Sequence, residues 1–244
     1  MPAAAAPLAN ETRELLKRTS TPTLTTQLFK RGLRNAFIQG VFRLNEDRTP
    51  VMVGEAFTLR YIPAREDLNS PAEYANRSHP QRRAIEECPK GAVLVADCRG
   101  DATAASGGDI LMTRLEERGA AGMVSDGGMR DTRNIARLSL PVYIARASAP
   151  ASFHRHCAVD LGVPVACGGV PVYPGDVLVG DVDGVVVIPR HLADEVARDA
   201  IEQERFEEWV LEEVRAGRST FGLYPPDEET RRRYEAQRTG IGEA

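Results

Sequence analysis

Two short runs in the middle of the chain carry residue types suited to chemistry on a small anion: Gly107-Gly108-Asp109-Ile110-Leu111 and Gly127-Gly128-Met129-Arg130-Asp131. In the first, two glycines and an aspartate predict a tight strand-to-helix turn with Asp109 capping the helix that follows. The amides of Ile110 and Leu111 would then be first-turn donors without intrahelical partners, at the positive end of a helix. Such an end takes a carboxylate or a phosphate. In the second, Arg130 and Asp131 follow AAGMVSD (120–126), which reads as a strand, with Gly127-Gly128 as a turn. They would stand at the strand's carboxyl end, where α/β folds gather their sites. An arginine forks onto a carboxylate or keto oxygen. An aspartate holds a hard divalent cation through oxygen. Each run alone also fits an ordinary capped helix or a surface ion pair. Together they occupy successive strand-to-helix turns, which neighbouring parallel strands bring side by side. The product is a crevice holding an anion-binding helix end, an arginine and carboxylates. That is equipment for polarising a 2-oxo acid, with a metal on its keto oxygen and amides on its carboxylate.

The surrounding pattern supplies elements to position these groups. The first forty residues read as helical, with Asn10 capping a helix to about Arg18 and Pro22 opening a second that Gly32 ends. Residues 37–44 and 51–62 read as β-like, and Pro63 to Lys90 as a polar excursion with a short helix near its end. GAVLVADC (91–98) is a buried strand. The helix after Asp109 shows Ile110, Leu111 and Leu115 on one face and stops at Gly119. MRDTRNIARL reads as a short helix and PVYIAR (141–146) as a strand. From 158 to 189 the pattern is all-β, broken by Gly-Gly, Pro-Gly-Asp and Asp-x-Asp-Gly turns. A long helix runs from Pro189 to about Gly217. The expected organisation is one layered α/β domain over 1–217 and a C-terminal surface extension over 218–244.

Composition narrows the function classes. The chain has 244 residues, a net charge of −4, 42% hydrophobic and 27% charged residues. Those values fit a globular protein with a sizeable core. The charge argues against a nucleic-acid partner. No run approaches the roughly 18 apolar residues of a membrane span. MPAAAAPLANE lacks a basic start and a long apolar stretch, so a cytoplasmic location is expected. Cys88, Cys98, Cys157 and Cys167 form no C-x-x-C pair and read as reduced thiols. His154-Arg155-His156-Cys157 lacks a second ligand pair for zinc. Asp181-Val182-Asp183-Gly184 lacks the downstream glutamate of a calcium loop. Trp209 reads as packing.

Asp109, then residues 110–129, then Arg130-Asp131 resembles the D-x20-R-D signature of the RraA-like family. That family includes 4-hydroxy-4-methyl-2-oxoglutarate / 4-carboxy-4-hydroxy-2-oxoadipate aldolases and the regulator of ribonuclease E activity. KGAVLVADC, AAGMVSDGGMRD and VYPGDVLVGDVDGVVVIP resemble the family's segments around the site, and the likeness covers roughly residues 20–215. It implies a swivelling β/β/α-type fold and a homotrimer or a hexamer of two trimers. It implies Mg²⁺ (or Mn²⁺) on Asp131, a metal-bound water on Asp109, and Arg130 on the substrate's oxygen and a proton-relay water. The pyruvoyl carboxylate would sit on Gly108 and the Ile110 and Leu111 amides. The family aldolases also draw a glutamate from a neighbouring subunit's late helix. Glu204 is the candidate, because it shares a stripe with Ala197, Ala200, Ile201 and Leu211. The activity implied is metal-dependent retro-aldol cleavage of a 4-hydroxy-2-oxo acid, with oxaloacetate decarboxylation as a side activity. A non-catalytic ribonuclease-binding regulator, or a hydrolase or dehydratase of a sugar-derived 2-oxo acid, uses the same residues. The polar segment 63–87 and the tail depart from the family pattern and leave the substrate's distal end open.

Overall fold

The computed structural model describes residues 7–45 and 50–240. The reading of the extreme N-terminus falls partly, and that of residues 241–244 wholly, outside the described residues. In chain order the elements are α1 (Asn10–Leu16), α2 (Thr21–Lys30), β1 (Phe42–Arg43), β2 (Met52–Pro63), α3 (Pro80–Glu87), β3 (Val93–Asp97), α4 (Asp109–Glu117), β4 (Gly122–Met129), α5 (Thr132–Ile135), β5 (Val142–Ala147), β6 (His156–Leu161), β7 (Val165–Cys167), β8 (Val170–Val172), β9 (Val177–Gly180), β10 (Val185–Ile188), α6 (Ala193–Arg215) and α7 (Glu228–Gly240).

One mixed sheet runs in the order β1-β5-β4-β3-β2-β9-β10, and β6 also pairs with β2. Strands β2 to β5 are mutually parallel. They read as continuous apolar runs because both faces are covered. In β3, Leu94 and Ala96 face a layer holding Met112 and Leu115 of α4 and Ile85 of α3. Val93 and Val95, one residue out of phase, face Val165, Val172, Leu178 and Val187. The outer face of β9 and β10 then packs Val177, Val179, Val186 and Ile188 against α1, α2 and α6. The result is a helix layer, two β layers and a second helix layer, in agreement with the expected layered α/β class. Among the described residues no helix is long and apolar enough to cross a membrane.

Several local expectations change. Ala9, not Asn10, is the N-cap of α1. The expected strand at 37–44 shrinks to Phe42–Arg43 plus a single bridge from Phe37 to Val186. On α4 the buried side chains are Met112 and Leu115, while Ile110 is 79% exposed. The segment after Gly217 includes a helix, α7, whose Tyr234 and Gln237 pack on Phe206 and Trp209 of α6. Asp181 does form a turn, accepting from Asp183 N and from the backbone and hydroxyl of Thr21.

The most consequential change is at Gly127-Gly128. The pair is not a turn but the fully buried last part of β4. Neither glycine has a positive φ. Their role is close approach, the other use of glycine inside a strand. A Cβ on Gly127 would lie 2.6 Å from Cys98 Sγ, and one on Gly128 would lie 2.8 Å from the Ala104 carbonyl and 2.5 Å from Ser148 Cβ. Gly128→Ala is expected to destabilise the fold by about 1–3 kcal/mol through overpacking against backbone. Urea unfolding checks this, and an unchanged midpoint would show that the 102–104 loop yields freely.

Candidate functional site

The carboxyl ends of β3 and β4 are joined by a short backbone graft. Ala105 bridges Gly128, and the Ser106 amide and hydroxyl donate to the Gly128 carbonyl at 2.8 and 3.0 Å. Arg130 N returns a bond to the Gly107 carbonyl at 3.1 Å. The 105–107 segment therefore lies along the end of β4, and the start of α4 is delivered beside Arg130 and Asp131.

Gly108 is the N-cap of α4, in extended backbone, and Asp109 is its first residue rather than its cap. A Cβ on Gly108 would lie 2.7 Å from Asp131 Oδ2 and 3.0 Å from Arg130 Cγ, so Gly108 leaves the cradle that Asp131 occupies. Asp131 sits in the left-handed region (φ 58°, ψ 31°) at the head of α5. Aspartate tolerates that region better than most residues. The kink turns its carboxylate back toward Gly108 while its carbonyl accepts from Asn134 N at 3.0 Å.

Asp109 is tied at both oxygens. Oδ2 accepts from Asn134 Nδ2 at 2.7 Å, and Oδ1 accepts from the Ile110 amide at 2.8 Å. The Asn134 hydrogen bond, helped by the Ile110 amide, the Asp131 contact and the Arg130 charge, holds the Asp109 carboxyl below its ordinary range. It is an anion at neutral pH. Arg130 Nε donates to Asp131 Oδ2 at 3.2 Å. The two side chains are 48% and 35% exposed, so the pair adds little stability and both groups stay open to a ligand. The Ile110 amide is therefore taken by its own neighbour, Asp109. No partner is seen for the Leu111 amide among the described residues.

These groups line a cleft of about 400 Å³, closed by Gln81 and Arg82 of α3 and by Ala151, Ser152 and Phe153. A larger open groove of about 610 Å³ lies between α2, α6 and α7 and holds none of them. The cleft's metal-type donors are two touching carboxylates. Among the described residues no three His, Cys, Asp or Glu side chains gather into a complete cage. Two carboxylate donors with room for water and substrate oxygens suit Mg²⁺, which seldom uses an all-protein cage. The donor set and the Gly108 cradle therefore fit a hard divalent cation.

Glu204 does not join this cleft. Its Oε1 accepts from the Ser20 amide at 2.8 Å and the Ser20 hydroxyl at 2.7 Å, tying α6 to the start of α2. Leu211, placed on the same stripe, is 51% exposed. Asn134, Gln81, Arg82 and Ser106 were not singled out in the sequence. Asn134 had a usable signal, because it lies three residues after Asp131 at the start of a short helix. Gln81 and Ser106 act through contacts remote in sequence.

The RraA-like family model (Aldolase/RraA) matches residues 21–187. The chain belongs to the RraA-like family. A Halalkalibacterium halodurans protein named "Putative 4-hydroxy-4-methyl-2-oxoglutarate aldolase" is 37% identical over 126 residues, which span 52% of this chain and 60% of that protein. The match thus covers less than two thirds of that relative. Among solved structures, Streptomyces coelicolor RraAS2, described as an unusual member of the RNase ES inhibitor RraA protein family, is 32% identical. It superposes with a TM-score of 0.73 over 84% of this chain and 98% of that one. An uncharacterized Pseudomonas syringae protein shares the fold, with a TM-score of 0.76 at 24% identity over 90% of this chain and 100% of that one.

Asn134→Ala is expected to return the Asp109 carboxyl toward its ordinary, higher value. NMR titration of labelled aspartate checks this, and an unmoved Asp109 would show that the Asn134 bond is not the main cause of the depression.

Proposed function

We propose that the protein is a divalent-cation-dependent lyase. It breaks the C3–C4 bond of a 4-hydroxy-2-oxo acid to release pyruvate and decarboxylates oxaloacetate as a side reaction. The observation that carries this reading is the pair of touching carboxylates, Asp109 and Asp131, set beside Arg130 and the α4 N-terminus in one cleft. The aldolase name of the Halalkalibacterium relative supports the same reading.

Asp131, with Asp109 behind it, would hold Mg²⁺ or Mn²⁺. Such an ion, when bound, polarises the 2-oxo group as a Lewis acid. The Leu111 amide, and the Ile110 amide once it leaves Asp109 Oδ1, take the substrate carboxylate at the positive end of α4. Gly108 lets the substrate approach the backbone there. Arg130 binds the oxygen at which charge develops and holds a water that accepts the 4-hydroxyl proton. Asp109, an anion fixed by Asn134, orients that water. As the proton leaves, the C3–C4 electron pair stays with the three-carbon fragment, which takes a proton from water at C3. With oxaloacetate the same bond breaks and CO₂ departs in place of the carbonyl product.

Family likeness further supports a homotrimer or hexamer. Within its own chain Glu204 ties α6 to the start of α2 through Ser20. The resemblance to RraAS2 favours a second reading, a regulator that binds a ribonuclease without turnover.

The test is pyruvate release from oxaloacetate and from 4-hydroxy-4-methyl-2-oxoglutarate, with Mg²⁺ and with EDTA. Pyruvate that appears only with the metal is expected from both. Asp131→Ala should abolish it, and Arg130→Ala should lower kcat by about 10²- to 10³-fold. Full turnover by Asp131→Ala would overturn the assignment. Absence of pyruvate from the folded protein, together with tight ribonuclease capture, would establish the regulator instead.

A further inference from the structure

We infer that the cleft takes 4-hydroxy-2-oxo acids with a bulky apolar group on C4, and that Phe153, together with Ile110, holds that group. The inference rests on the lyase reading and adds to it the class of substrate at the distal end. Asp109, Arg130 and Asp131 stand together where β4 ends and α4 begins, and the reaction commits them to the 2-oxo acid head. Of the other polar lining residues, Gln81 and Ser152 are buried, and Arg82 already has a partner within the chain. The rest of the lining is apolar, with Ala105, Ile110, Leu111, Ala151 and Phe153. At about 400 Å³ the cleft falls in the size range of small-molecule sites and exceeds what a three-carbon head fills.

The backbone fixes this apolar wall. Ala105 N donates to the Pro150 carbonyl at 2.8 Å, which sets residues 151–153 beside the segment that leads into α4. His154 N donates to the Ala151 carbonyl at 3.1 Å and closes the turn that carries Phe153. The Phe153 ring is half-buried and stacks on the His154 ring, with centroids 4.7 Å apart and planes 22° from parallel. Ile110, the second residue of α4, is 79% exposed, while Met112 and Leu115 carry the packing of that helix. The Ile110 side chain therefore adds little to the core. A large apolar side chain left open in a cleft that also holds an aromatic ring marks a ligand contact. The group on C4 leaves with the carbonyl product, so the chemistry at C2 and C3 places no demand on its polarity. An apolar group there takes its own surface, and that of Phe153 and Ile110, out of water. A flat ring adds the stacking preference of aromatic pairs.

The experiment measures kcat/KM for pyruvate release, with Mg²⁺, from 4-hydroxy-2-oxo-4-phenylbutanoate and from 4-hydroxy-2-oxopentanoate. The two differ only in phenyl against methyl on C4, and they yield pyruvate with benzaldehyde or with acetaldehyde. Wild type is expected to favour the phenyl substrate by about tenfold or more, since a single methylene in an apolar pocket already reaches about that factor. Phe153→Ala is expected to cut the ratio about tenfold, and Phe153→Leu to keep most of it. His154→Ala, which changes the stacking neighbour outside the cleft lining, is expected to leave the ratio at its wild-type value. A wild-type ratio of one or less overturns the proposal, as does a Phe153→Ala variant that loses both substrates in proportion. Cleavage of 4-hydroxy-4-methyl-2-oxoglutarate alone also overturns it, because a distal carboxylate is then what the cleft reads. If wild type releases no pyruvate from any of these acids, the lyase reading fails separately. Calorimetry with 2-oxo-4-phenylbutanoate and 2-oxopentanoate, which lack the 4-hydroxyl and are not cleaved, then decides. Tighter binding of the phenyl acid, lost in Phe153→Ala, sustains the proposal, and equal binding of the two acids by wild type overturns it.

Discussion

The carbonyl of Gly128, shared by the amide and hydroxyl of Ser106, is the joint on which the rest of the cleft depends. It fastens the β3–α4 connection to the end of the neighbouring strand. Without it, Asp109 and Asp131 would belong to two independent turns. With it, both side chains are delivered to one cleft. The surroundings oppose protonation at Asp109, through Asn134, the Ile110 amide and Arg130. The two carboxyl groups thus already line one cleft in the folded chain.

The joint is possible because the layers beneath it are rigid. Strand β2 shares one edge with β3 and gives the other first to β9 and then to β6. It thereby ties the parallel half of the sheet to the antiparallel half. The outer helices are stapled by polar contacts that span most of the chain. Glu204 caps the start of α2, Asp194 accepts from Thr12 at 2.6 Å, and Arg31 of the α2 end meets both Glu195 and Asp199. The acidic face of α6 is in part a docking surface for the protein's own N-terminal helices.

What could be read from the sequence follows the range of the interactions involved. Asp109, Arg130 and Asp131 were legible because strand ends and turn glycines are local signals, and parallel strands bring successive turns together. The β3 and β4 runs were legible because strands covered on both faces are continuously apolar. Gly127-Gly128 was misread because glycine marks both turns and close approaches, and only the packing of Cys98 and Ala104 separates the two. Asp109 was expected as a cap but lies one residue inside the helix, since Gly108 in extended backbone serves at that position. Local periodicity placed Glu204 on the apolar stripe of α6, and its bond to Ser20, 184 residues away, leaves no trace in that periodicity. Gln81 and Asn134 show their place only through the atoms they meet, the Ser106 carbonyl and the Asp109 carboxylate.

The left-handed backbone of Asp131 restricts what can replace it. Glycine and asparagine share aspartate's tolerance for that region, whereas most side chains would strain the head of α5. Asparagine would keep the turn and the shape of the side chain while removing its charge. The scaffold therefore stands one amide away from a cleft that still folds and still presents its arginine and helix end, but carries one carboxyl group fewer. In physical terms, two clefts of one shape and different donor sets are neighbours on this fold, separated by the chemistry of a single side-chain atom.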